Sequence, residues 1–339
     1  RLEFKDGEDF LQLSGSVSIG EIAKLDRIQF AYRGHYLAST KPLVIHFIED
    51  DIKLDPFEIH IDDGIMKGEF YRGDSLDGKL NLSNIDADIV QSILGMQDFP
   101  ITGIAFGKAV FSMDSLRTQF MLNGSIKNGT FFDHPYDNLD LSVEYKDRTF
   151  SIERFQMEEN GRTSLNVNGE FPLPEHRDEP LDIKLIAQLD QIAMPLVSKL
   201  LLNGMPIKGL ATGIWKFGGN TESTQFHFDL DITDCYYDLI PLGQVQGKAE
   251  YTGRRLVFDN YTSNYRENLL SGSGYLPMDL NIGSESFGTF IRSDSMYIST
   301  EGSVGALNFL SPYISSIDSI TGSFDIGLII RGFPDAIMR

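Results

Sequence analysis

The chain has 339 residues, 41% of them hydrophobic, which is enough apolar surface for a large core and argues against intrinsic disorder. Its net charge of −20 excludes nucleic acid as a partner, because a phosphate backbone calls for clustered Lys and Arg, and it argues equally against docking on an anionic membrane surface. One cysteine, Cys235, leaves no internal disulfide for the fold to rest on, and no run reaches the roughly 18 apolar residues of a membrane-spanning helix.

With 24 Phe, 13 Tyr and 32 Gly, the composition favours strands and turns. The chain also repeats itself, and the elements are best taken repeat by repeat. Residues 1–75 read as a partial β repeat. Ile52, Leu54, Phe57 and Ile59 match Phe150, Ile152, Phe155 and Met157 at an offset of 98 residues, Asp63-Gly64 marks a turn, and Gly68-Glu69-Phe70 matches Gly169-Glu170-Phe171.

Residues 76–180 form the first full repeat. It opens on Leu76-Asp77-Gly78-Lys79-Leu80. Ile85, Ile89 and Ile93 then recur at helical spacing, which predicts a short helix over 85–94 capped by Asn84 or Asp86. Pro100-Ile101-Thr102-Gly103 follows. Turns are predicted at Asn123-Gly124, Asn128-Gly129 and Asn160-Gly161. Leu139, Leu141, Val143 and Tyr145 alternate with Asp140, Ser142 and Glu144, and Leu165 and Val167 alternate with Asn166 and Asn168. That period of two places apolar side chains on one face of a sheet and polar ones on the other.

Residues 181–285 repeat the series. Leu181-Asp182-Ile183-Lys184-Leu185 lies 105 residues after its counterpart, and Pro206-Ile207-Lys208-Gly209 lies 106 after its own. A second short helix is predicted over 192–202, with Asp190 as a candidate cap, and a turn at Gly218-Gly219-Asn220. Phe226, Phe228, Leu230 and Ile232 alternate with His227, Asp229 and Asp231; Val245, Ala249 and Tyr251 alternate with Gln246, Lys248 and Glu250. The repeat closes on Gly274-Tyr275-Leu276-Pro277-Met278, as the first closes on Gly169-Glu170-Phe171-Pro172-Leu173. Residues 286–339 start a further partial repeat, with a third helix predicted over 306–314 and Ile320-Thr321-Gly322 after it.

The fold expected is mainly β: one continuous, elongated antiparallel sheet of repeats about 105 residues long, curved into a groove or half-pipe, with a few short helices. At ordinary strand lengths each repeat takes roughly nine strands. A sheet with a continuous apolar face must cover it, and one short helix per repeat is too few to do so. The uncovered lining is then a binding surface for something long and apolar, of which an acyl chain is the simplest case. The lining candidates are Leu139, Leu141, Val143, Tyr145, Leu165, Val167, Phe226, Phe228, Leu230, Val245, Ala249 and Tyr251.

These features together are similar to the TamB/AsmA-like family of bridge-like lipid transport proteins. The resemblance runs over nearly the whole chain and is carried by the repeated Leu-Asp-x-Lys-Leu start, the Pro-Ile-x-Gly element, the Glu-Tyr strands Glu144-Tyr145 and Glu250-Tyr251, and the closing Gly-x-Phe/Leu-Pro-Leu/Met. It implies a taco-shaped β structure with a hydrophobic groove, held as a periplasmic segment of an inner-membrane-anchored protein of a Gram-negative-type bacterium. It further implies phospholipid as cargo, transport between inner and outer membrane, and outer-membrane protein assembly with a BamA/TamA-type barrel partner reached through the parent chain. Starting at Arg1 and stopping in mid-pattern at Gly332-Phe333-Pro334, the chain is expected to be an internal fragment.

No enzyme is expected. His35, His46, His60, His134, His176 and His227 are scattered without metal spacing, so neither metal nor cofactor is expected. Asp229-x-Asp231-x-x-Asp234 lacks the Gly and Glu of a calcium loop, Ser271-Gly272-Ser273-Gly274 is no nucleophile elbow, and Gly213–Gly219 has no Gly-Lys-Ser/Thr after it. The alternative function is a non-catalytic structural or adhesive β-solenoid.

Overall fold

A computed structural model describes residues 2–6, 9–18, 21–32, 35–94, 100–114, 117–173, 179–202, 204–282, 284–304 and 324–334. The helix predicted over 306–314, Ile320-Thr321-Gly322 and His176 lie outside them. The chain divides into two compact units, residues 1–162 and 163–339.

The first unit runs β1 (Leu2–Asp6), β2 (Asp9–Ser18), β3 (Ile22–Tyr32), β4 (His35–Ser39), β5 (Leu43–Ile48), β6 (Asp51–Ile61), β7 (Gly64–Arg72), β8 (Leu76–Asp86), α1 (Ala87–Leu94), β9 (Ile104–Met113), β10 (Thr118–Phe131), β11 (His134–Lys146) and β12 (Thr149–Glu159). The second runs β13 (Arg162–Pro172), β14 (Lys184–Ala193), α2 (Met194–Leu201), β15 (Ile207–Gly219), β16 (Thr224–Tyr237), β17 (Ile240–Thr252), β18 (Arg255–Tyr265), β19 (Asn268–Asp279), β20 (Thr289–Phe290), β21 (Met296–Val304) and β22 (Phe324–Gly332). Among the described residues the fold is mainly β and its strand pairs are antiparallel: within each unit most strands pair with their sequence neighbours in a meander, while β21 pairs β19 alongside the two-residue β20. In the first unit β4 and β5 share one strand position, both pairing β3 on one side and β6 on the other.

The strands are longer than expected and therefore fewer. From β8 to β13, and again from β14 to β19, the chain runs one strand, one short helix and five more strands. That makes six strands where modal lengths give nine, because β10 and β16 each run to 14 residues. Asn123-Gly124 and Asn128-Gly129 are not turns but lie inside β10, where Asn123 sits between Lys108 of β9 and Ser142 of β11. Asn128 does take a left-handed φ of 52°, but it kinks the strand without reversing it. The reversals occur at two-residue turns with both φ positive: Phe132-Asp133, Asp147-Arg148, Asn160-Gly161 and Gly253-Arg254. That geometry matches the twist of the flanking strands, which is why it joins long hairpins well.

Both helices start two residues later than predicted, because Ile85 and Ile192 complete their strands before the chain turns. Asp86 caps α1, accepting from the Asp88 N–H at 3.2 Å, while Asn84 donates instead to the Asp63 carbonyl at 3.0 Å. In α2 the preceding residue is Ala193, no side chain caps the end, and Pro195 occupies the first turn. Each helix is pinned from its buried face: Gln91 donates to the Ile101 carbonyl at 2.6 Å and Ser198 to the Met205 carbonyl at 2.7 Å. Under α1 the first unit packs Ile61, Ile85 and Ile89 against Leu37, Ile59, Met66 and Leu82. The second unit packs Phe226, Tyr251, Met278 and Leu280 against α2's end and the neighbouring strands.

One glycine shows how tightly the strands of the second unit approach. Gly213 of β15 has φ +150° and a Cβ there would lie 2.0 Å from the Asp229 carbonyl of β16, whereas a Cβ on Gly218 meets nothing within 4 Å. Gly213→Ala is expected to destabilise the second unit by about 2 kcal/mol in denaturant unfolding, and Gly218→Ala by less than about 0.5 kcal/mol.

Candidate functional site

The second unit's sheet has one apolar face, and its register stacks side chains into rows across the strands. Phe217, Phe226, Tyr251, Leu256 and Leu276 form the first row across β15 to β19. Trp215, Phe228 and Ala249 form the next, then Gly213, Leu230, Gly247, Tyr261 and Gly272, then Ala211, Ile232, Val245 and Ser263. Period-two alternation is what keeps each row apolar.

The first row is filled. Phe226 and Tyr251 are 3% and 1% exposed, with ring centroids 5.5 Å apart, and Phe217 meets Phe226 edge-on at 4.3 Å. A segment after β19 closes over them. Leu280, itself 1% exposed, packs on the pair together with Met278, Phe287, Phe290 and, from α2's end, Leu202 and Met205. This strap is stitched down by polar groups. Tyr251 Oη accepts the Leu280 N–H at 2.9 Å. Asn281 Oδ1 accepts the Thr224 N–H at 3.3 Å, and Thr224 Oγ1 accepts the Ile282 N–H at 3.2 Å. Asp279 Oδ2 receives Ser284 and Ser286 hydroxyls at 2.7 Å each and Arg254 at 3.0 Å. Burial pushes the Asp279 carboxyl up, but those hydroxyls, the Asn281 N–H and the Arg254 charge bring it below the usual carboxylate range. At the strap's far end Arg255 forks onto Asp294 at 2.9 and 3.0 Å and lies over the Tyr275 ring.

Beyond the first row the apolar face is open. Phe228, Leu230, Val245 and Ala249 floor a trough of about 400 Å³, with Met194, Val197 and Leu201 of α2, and Leu202 just past its end, along it. Leu280 and Leu202 stand at its filled end; Tyr237 and Leu242 rim the other. The lining is almost wholly carbon. The Tyr261 hydroxyl is engaged with Thr300 Oγ1, and burial pushes the thiol of Cys235, 3% exposed, up to about 11, so that thiol stays protonated near neutral pH. The size falls within the range of ligand pockets.

The opposite face of the same strands carries the charge, with a wider hollow of about 700 Å³. Its groups bond one another: Lys248 with Asp229 at 3.0 Å, His227 with Glu250 at 3.3 Å, and Gln244 and Gln246 with Asp231. The described histidines all meet carboxylates in this way: His35 with Asp62, His46 with Asp55, His60 with Glu58 and His134 with Glu159. The His46 hydrogen bond holds Asp55 below the ordinary carboxylate range. Among the described residues, no three His, Cys, Asp or Glu groups are placed to hold a metal ion, and no helix is long and apolar enough to cross a membrane.

Of the twelve residues picked from the sequence as lining, Phe228, Leu230, Val245 and Ala249 line the trough, while Phe226 and Tyr251 are the filled row beside it. Leu165 and Val167 of β13 face Leu189 and Ala187 of β14, off the trough, with Leu165 6% exposed. In the first unit Leu139 is 2% exposed, whereas Leu141, Val143 and Tyr145 are half-buried opposite Gly124, Leu122 and Phe120. Ser142 stays on the other face, donating to Asn123 and Glu153 at 2.9 Å. Sequence reasoning missed α2's contribution, Leu280, and Phe258 and Tyr261 of β18. A bulge between Phe258 and Tyr261 breaks the two-residue phase there, so alternation alone loses the strand.

Comparison of the chain with protein-family models, curated proteins and solved structures finds no significant match.

Proposed function

We propose that this chain is a segment of a lipid conduit, holding phospholipid acyl chains in an apolar groove while their head groups stay in water. The observation that supports this most is the trough of the second unit: about 400 Å³, carbon-lined, with the charged side chains of the same strands turned to the opposite face. Each methylene buried there contributes about 0.8 kcal/mol without any polar contact, so a lining whose exposed surface is almost all apolar suits an acyl chain. On this reading the parent protein is anchored in the inner membrane, spans the periplasm and delivers lipid toward the outer membrane, where a BamA/TamA-type barrel is its partner in outer-membrane protein assembly.

The alternative, a structural or adhesive scaffold, draws on the filled first row, where Leu280 and Leu202 supply a facing layer of protein. Mass spectrometry of organic extracts of the purified chain separates the two. Phospholipid retained at about one molecule per chain is expected of a conduit segment; an extract with no lipid above the buffer level leaves only the scaffold.

A further inference from the structure

Resting on the acyl-chain reading of the trough, we propose that the site is a ruler: it takes one acyl chain, tail first toward Leu280, and measures its length. The trough has one blind end. Leu280 and Leu202 line it there, and behind them Phe226, Tyr251 and Met278 are packed to 3% exposure or less. At the other end Tyr237 is 45% exposed, so a polar head reaches water there. A volume of about 400 Å³, at about 30 Å³ for each water-sized group, holds on the order of a dozen methylenes, one chain and not two.

Charge narrows the head group. Asp234 and Asp238 are exposed on β16 and just past it, beside the open end, where they outnumber Lys208, the exposed base opposite Tyr236 at that end of the β15–β16 pair, in a chain of net charge −20. They disfavour a fatty-acid carboxylate and favour a zwitterionic head whose outer charge is a quaternary ammonium. The occupant is a single chain bearing a phosphocholine-like head, whether a lysolipid or one leg of a diacyl lipid.

The test uses the whole chain and lysophosphocholines of about eight to about eighteen carbons, each below its micellar concentration, displacing a fluorescent anilinonaphthalene dye. Affinity is expected to rise roughly fourfold per methylene up to about fourteen carbons and then to level off. Leu202→Ala, which removes part of the blind wall from a half-buried position, is expected to move the break to longer chains by about two carbons; Ala249→Phe, which fills the floor, to shorten it by about four. Affinity that keeps rising through the longest chain, or a break that neither substitution moves, overturns the ruler while leaving the acyl-chain reading intact. If no chain displaces the dye, the acyl-chain reading fails and the ruler with it.

Discussion

Tyr251→Ala is expected to cost the second unit about 4 kcal/mol. Tyr251 is 1% exposed, its ring lies 5.5 Å from Phe226, and its hydroxyl is the acceptor for the Leu280 N–H at 2.9 Å. Truncation removes the ring's burial, leaves a cavity between sheet and strap, and orphans a buried backbone donor. Tyr251→Phe separates the parts, because it keeps the ring and loses only the acceptor, for about 1 to 2 kcal/mol. Denaturant unfolding of both variants reads the difference. A loss below about 1 kcal/mol for Tyr251→Ala means that the strap does not close on that ring.

The second large effect lies at Asp279, the polar anchor of the same strap. Its side chain is 4% exposed and takes four hydrogen bonds, from Ser284, Ser286, Arg254 and the Asn281 N–H. The two hydroxyl bonds carry most of the expected loss of about 3 kcal/mol in Asp279→Ala. The Arg254 side chain is 55% exposed, so its part is screened and small. The pH dependence follows from the direction of the shift. The folded carboxyl titrates below its unfolded value near 3.9, so its contribution is complete above that pH and is lost as pH falls through the folded value. Stability measured from pH 7 down to about 2 is expected to drop more steeply for the wild type than for Asp279→Asn. Parallel curves contradict the anchor.

Much of this was legible in the sequence because it depends on local rules. Alternation along Phe226, Phe228, Leu230 and Ile232 and along Val245, Ala249 and Tyr251 gave the apolar face, and antiparallel pairing carried it from strand to strand. The helices were visible in Ile85, Ile89 and in the 192–202 run, displaced by two residues because a strand's end and a helix's start share apolar spacing.

What stayed hidden is long-range. Nothing periodic distinguishes Phe226 and Tyr251, which are covered, from Phe228 and Ala249, which line the trough. The difference is made by Leu280, more than 50 residues from Phe226, arriving from a segment with no repeating pattern. Asn-Gly pairs also misled: Asn123-Gly124 carries a strong hairpin signal, but Gly124 sits opposite Gly107 and Leu141 in the middle of a strand, where tertiary pairing overrides turn propensity. The reversals used Phe132-Asp133 and Asp147-Arg148 instead, residues that take left-handed φ only because the two-residue connection demands it.

On the proposed function, the second unit's trough, with Leu280 at its filled end, holds an acyl chain whose head stays in water. Photo-crosslinking addresses that claim directly. A crosslinker placed at Phe228 or Val245 on the trough floor is expected to capture phospholipid when the chain is incubated with bilayer vesicles, and one at Asp229 or Gln246 on the opposite face to capture none. Equal capture from both faces contradicts the account.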